Sequence, residues 1–499
     1  MMKLLFAAGL TLALQGAPLL AQDRVGAEYM VMEHSGDEAA SEHFLRGLAL
    51  LHNFEYGRAA EAFEQARLAD PDFVMAYWGG AMTYNHPLWE SQDREGALKV
   101  LADLGATPAE RRAKAANERE AMWLDAIEAL YGEGTKEERD HKYLARMRLL
   151  HEADPSDIDA RAFTGLAILG TSHGGRQVPI YMQAAAVLEP GFMTHERHPG
   201  ILHYLIHSYD DPVHAPLGER AAERYALVAP DAGHAQHMVS HIFHALGDWE
   251  ASEAANINAD AVVDRQRIAM GREPTFCGHY NEWLAYALLQ QGKDASEIVD
   301  GCRAQAQAAI ARGSDKRLGF GETSSYSSIA LWNGAATGDW PAPLEVEGDG
   351  FLLARFEFAT ARLLAGIGDE APIRDALGEM RQLAAEIESV LAVEDPLNTY
   401  AVPWMTRQIA QGEALLEIAA GRRDDGLAML EQAAEAEVAL PEVFGPPPMA
   451  MPSYELLGSA LMALGRTDEA ADAFRKSLAF APGRKISLEG LAKAQAASR

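Results

Sequence analysis

A spacing that recurs at both ends of the chain leaves little freedom in the choice of fold. Tyr454, Leu457, Gly458, Leu461, Ala470, Phe474, Ser477 and Pro482 fall at the positions of a helix–turn–helix repeat about 34 residues long. The small residues let two helices approach closely, Phe474 fills the space between them, and Pro482 ends the second helix. Gly47, Ala59, Phe63, Ala66 and Pro71 repeat the logic near the N-terminus. A looser copy runs from Tyr143 through Met147 and Leu150 to Pro155, and Ala222, Tyr225 and Pro230 close another. A single unit of this kind cannot bury its apolar face alone. Neighbours must stack, so the spacing predicts an all-α, right-handed superhelix of the tetratricopeptide type, its concave groove lined by the first helix of each pair.

Between the two ends no sustained period-2 alternation calls for strands. Breaks are expected at 312–323, 338–350 and 444–452, the last because its prolines forbid helix. The chain therefore divides into a leader (1–21), N-terminal repeats with a histidine-rich centre (22–312), irregular helical repeats (313–400) and C-terminal repeats (401–499). The leader has the form of a secretory signal: Lys3, an apolar run from Leu4 to Leu14, and Ala21 before Gln22 and Asp23. An exported protein, periplasmic or extracellular, is the expectation. No other apolar run reaches the 18 or so residues of a membrane span.

Charge narrows the partners. Asp+Glu total 73 against 43 Lys+Arg, a net charge of −30 over 499 residues. With no basic patch to neutralise phosphates, nucleic acid is excluded as a partner. A protein or peptide in the repeat groove is compatible. Only two cysteines occur, Cys277 and Cys302; an oxidising compartment would let them pair, while a simple helical hairpin would not set them opposite each other. Both outcomes stay open.

Chemistry concentrates in one region. Nine of the 17 histidines fall between His195 and His244. His234, His237, His241 and His244 lie within roughly an 80° arc of one helix. His203 and His207 are four apart, with Asp210 three further on the same face. Helices are expected over 201–209, 217–228 and 232–246, which places the two stripes on first helices of adjacent repeats, about 8–10 Å apart. Imidazole pairs from two such helices suit a transition metal: zinc first, with copper, nickel or iron as alternatives. The expected ligands are His203, His207, His237 and His241, then His234 and His198, with Asp210 as ligand or as the group that orients an imidazole. Asp211, Glu282 and His279 are further candidates for a supporting or general-base role. Donors outnumber the needs of one tetrahedral ion. The zincin signature is absent, since Tyr204 stands where its glutamate would be in His203-Tyr-Leu-Ile-His207.

The stretch His198-Pro-Gly-x-x-His203-Tyr-x-Ile-His207, followed by Asp231-Ala-Gly-His234-x-x-His237-Met-x-Ser240-His241-Ile, resembles a family of exported bacterial tetratricopeptide-repeat proteins of unassigned biochemistry. Asn256 and Asp260, and the opening segment from Arg46 through His52 and Phe54 to Trp78, also fit it. The resemblance covers about 42–292 and implies a helical-repeat fold with a common histidine site. The chain departs from it at Val239, where relatives carry proline, and at Tyr280 and Glu282, where they carry more histidine. Three functions follow as expectations: metal binding without catalysis, metal-activated hydrolysis at the same site, and a metal-free groove for a peptide or protein.

Overall fold

The computed structural model describes residues 23–498, apart from 314–316, 320, 347–349, 395–400 and 442. The leader, 1–21, lies outside the described residues. Within them, 23 α-helices follow one another, and the only ladder pairs Asn85 with Gln92 and His86 with Ser91. Consecutive helices pack as antiparallel hairpins. A Cβ at Gly47 would stand 2.9 Å from the Phe63 ring, and one at Gly458 would stand 2.8 Å from Phe474, so both ends of the chain use one device for close packing. Helix starts are set by side chains that accept from orphan amides: Asp37 from Ala40, Asp157 from Ala160, and Thr135 in a reciprocal box with Glu138. No helix of the described residues is long and apolar enough to cross a membrane.

The three expected central helices are present as Pro199–Ser208, Ala215–Val228 and Gly233–Leu246. The first begins two residues earlier than its apolar pattern suggests. Proline at its first position is pre-set for helix, and His198 caps it by accepting from the Ile201 amide.

Two apolar cores meet in the middle of the chain, one spanning Val25 to Ala255 and the other Trp249 to Ala494. Both ends of the superhelix return to this junction. From the N-terminal side, Tyr225 donates to Asn53, and Asn53 donates to the Val25 carbonyl. From the C-terminal side, Trp249 donates to the Gly483 carbonyl at 2.8 Å, and the Lys485 amide donates to Gln290 at 3.0 Å. Residues near the junction are thereby enclosed, rather than spread along an open groove.

Cys277 and Cys302 form a disulfide, which settles the pairing left open above. Cys277 does not open a helix. The loop before His279–Gln290 lies across the middle of Ser296–Ala311, where Phe276 and Pro274 exchange hydrogen bonds with Gln305. That crossing, which a simple hairpin lacks, brings the two sulfurs together.

Candidate metal centre

Six imidazoles from three helices meet at the junction in two triads. His203 and His207 come from Pro199–Ser208, His234, His237 and His241 from Gly233–Leu246, and His279 from the start of His279–Gln290. His203, His207 and His234 form one triad and His237, His241 and His279 the other, the ligand atoms of each lying within 4.8 Å of one another. Across the boundary, His207 and His241 have ring centroids 5.9 Å apart, and His234 and His237 6.1 Å. His203, His207, His237 and His241 are buried, while His279 is open to solvent.

The groups behind the rings fix which nitrogens face inward. Asn256 donates its amide to the Ser252 carbonyl, so its oxygen must accept from His237 Nδ1–H at 2.7 Å. The Asp210 carboxylate accepts from His241 Nδ1–H at 2.5 Å. With Nδ1–H of each ring spent on the oxygen behind it, the two Nε2 atoms face each other across 3.1 Å, and in the neutral form of both rings they are bare lone pairs. Two acceptors without a donor repel, and a cation between them removes the repulsion. In the other triad His203 Nδ1–H donates to the His52 carbonyl at 2.6 Å, which turns its Nε2 toward His207 Nε2 at 3.1 Å. His234 Nε2 is buried there without a hydrogen-bond partner. His203, His237 and His241, held from behind by carbonyl, amide and carboxylate oxygens with Nε2 turned inward, have the form of metal-site imidazoles.

Protonation does not compete well at four of these imidazoles. Burial pushes His203 down to about 3, and it holds His207, His234 and His237 well below the usual histidine range.

His198 does not join the triads. It belongs to a separate buried cluster with His52 and Asp159. Its Nδ1 accepts from the Ile201 amide, so Nε2–H donates to Asp159 at 3.1 Å. His52 donates to the same oxygen from Nε2, also at 3.1 Å, and accepts from the Tyr204 hydroxyl at Nδ1. Burial raises the Asp159 carboxyl, but His198 and His52 more than reverse this and hold it below the usual carboxylate range. Every imidazole lone pair in this cluster is committed, so it braces the repeats rather than offering ligands.

Other expected residues also have defined places. Asp210 stands behind His241. Asp211 pairs with Arg176 and accepts from His214. Glu282 is hydrogen-bonded to Ser325 of a following helix and is not in either triad. His244 packs on Trp249, Trp283 and Tyr286. Two aromatic walls were not expected. Phe54 lies 4.4 Å from His203 and 5.6 Å from His234, and Phe444, from the proline-rich break, lies 6.4 Å from His207 and 6.3 Å from His241. Phe54 ends its helix with φ of 56°, a left-handed conformation normally left to glycine. A bulky residue there costs roughly 1–3 kcal/mol and persists where its ring is needed. A neighbouring cavity of about 350 Å³ includes Asp210 and His244 in its lining but none of the six triad histidines, and prolines of the 441–452 segment form much of its wall.

The buried imidazoles predict acid sensitivity. His203, His52 and His244 are held by burial at about 3, 4 and 3. Below pH 6.5 or so the unfolded chain takes up protons that the folded one refuses, and each such group removes up to about 1.4 kcal/mol per pH unit. The urea midpoint of metal-free protein should be level above pH 7 and fall steadily from about 6.5 toward 4. A level midpoint across that window would mean these rings are solvated.

The family model of the tetratricopeptide repeat matches residues 452–484. No curated protein matches the chain. Among solved structures, the APC/C hetero-tetramer Cut9–Hcn1 is 12% identical over 93% of this chain and 78% of that one, with a TM-score of 0.36. Yeast Tom70 is 12% identical over 93% and 96%, with a TM-score of 0.25, and the P58(IPK) TPR domain is 13% identical over 92% and 98%, with a TM-score of 0.19. Overlays this loose carry no functional argument. The repeat at 452–484 and the succession of stacked helical hairpins make this chain an all-α protein of the tetratricopeptide-repeat superhelix type.

Proposed function

We propose that this is an exported tetratricopeptide-repeat protein that holds a transition metal in its histidine chamber. The observation that carries the reading is the pair His237 and His241, whose Nδ1–H groups are both committed and whose Nε2 lone pairs face each other at 3.1 Å. An all-imidazole donor set suits zinc first, and copper, nickel or iron as alternatives. The Cys277–Cys302 disulfide supports an oxidising compartment, as the leader does.

A hydrolytic role has less support. The exposed side of His279 gives its triad an open face, but the candidate bases are engaged: Asp210 with His241, Asp211 with Arg176 and Glu282 with Ser325. A partner-binding groove without metal is the second reading, favoured by the repeat match at 452–484.

Equilibrium dialysis against Zn²⁺ separates these readings. Wild type should retain metal, and the His237→Ala/His241→Ala variant should not. Asp210→Asn keeps an acceptor for His241 but loses the charge that makes the ring a better donor, and affinity should fall by about 10–100-fold. Unchanged affinity in Asp210→Asn would reduce that residue to a packing role. No retention by any of the three proteins would leave the partner-binding groove.

A further inference from the structure

We propose that the two triads form one dinuclear centre, with one ion held by His203, His207 and His234 and a second by His237, His241 and His279. This rests on the metal reading above and goes beyond it in stoichiometry and in the chemistry of the shared space. Each triad is complete on its own, since three imidazole nitrogens converge within 4.8 Å. The triads are also contiguous. His234 and His237, three residues apart on Gly233–Leu246, belong to different triads, so one turn of helix carries a ligand for each ion. A second bridge runs from His207 to His241, whose ring centroids are 5.9 Å apart. Six donors exceed the demand of a single tetrahedral ion. A one-ion site would strand three of these nitrogens among buried rings, as His234 Nε2 already illustrates.

The donor set defines what would sit between the ions. All six protein donors are imidazoles, which bind metal in their uncharged form, and Asp210 stands behind His241 and belongs to neither triad. Two divalent ions so held keep nearly their full charge, which favours a small oxygen or anionic ligand shared between them. Phe54, Phe444 and Trp283 line the surroundings with apolar rings and keep that ligand small.

Cu²⁺ is the probe, because paired ions report on each other magnetically. Untagged protein is titrated with Cu²⁺, freed of loose metal by gel filtration, and read by metal content and integrated electron spin. Wild type should hold two ions per chain, with a spin signal well below two and broadened by coupling. His234→Ala and His279→Ala should each lose one ion, at least 100-fold in affinity, and show one uncoupled spin. The Gln variants at the same positions serve if either Ala variant fails to show native circular dichroism. One ion in wild type would overturn the dinuclear proposal and leave the metal reading intact. Two ions with two full, independent spins would overturn the shared chamber. No ion would sink both.

Discussion

Glu455→Ala is expected to lower stability by about 3–5 kcal/mol, the range for a buried ion pair deprived of one partner. Glu455 and Arg484 are 0% and 2% exposed. The guanidinium donates to both carboxylate oxygens, at 2.5 and 3.0 Å, and Ser487 donates to one of them at 2.6 Å. Arg484 also donates to Tyr286 and to the Ala450 carbonyl. Removing the carboxylate therefore leaves a charge in the joint between the C-terminal repeats and the middle of the chain. It also weakens the anchor of the segment that presents Phe444 to the histidines. Urea denaturation should show the loss, and metal should dissociate faster. Replacing both partners together, as Glu455→Leu/Arg484→Met, removes the stranded charge and should recover most of the stability. A loss under about 1 kcal/mol in Glu455→Ala would mean that water reaches the pair.

Stripping the metal should have an effect of similar size. A ligand bound only by the folded state adds about 4 kcal/mol when its free concentration is a thousand times Kd. The candidate ligands come from three successive first helices, Pro199–Ser208, Gly233–Leu246 and His279–Gln290, so an ion in either triad would tie two adjacent hairpins together. Chelation should lower the melting temperature by several degrees and raise amide exchange most in those helices. Re-addition of Zn²⁺ should restore both. The His237→Ala/His241→Ala variant should melt at one temperature with or without metal, and a metal-dependent shift in that variant would place the stabilising ion elsewhere.

What the sequence discloses here is what local periodicity controls. Gly458 with Phe474 and Gly47 with Phe63 mark close helix pairs, because only a residue without a side chain admits the partner ring. The spacing of His203 with His207 and of His237 with His241 places each pair on one helical face, and the structure brings each pair to an Nε2–Nε2 distance of 3.1 Å. The remaining features depend on closure over long separations. His203 is oriented by a carbonyl 151 residues earlier, and Phe444 arrives from the far end of the superhelix. His198 looks like a ligand because it adjoins the stripe. As the cap of Pro199–Ser208 it spends Nδ1 on an amide, and its other nitrogen turns to Asp159. His279 reads as a supporting residue because Tyr280 and Glu282 stand where the resembled family carries more histidine, and the crossing loop before its helix brings it to the second triad.

The most direct test of the account is the metal content of the protein begun at Gln22, purified without an affinity tag, beside the His237→Ala/His241→Ala variant. The account predicts near-stoichiometric first-row transition metal in the wild type and a large loss in the variant. Wild-type protein that holds no metal, even after incubation with Zn²⁺, Cu²⁺ and Fe²⁺, would contradict it.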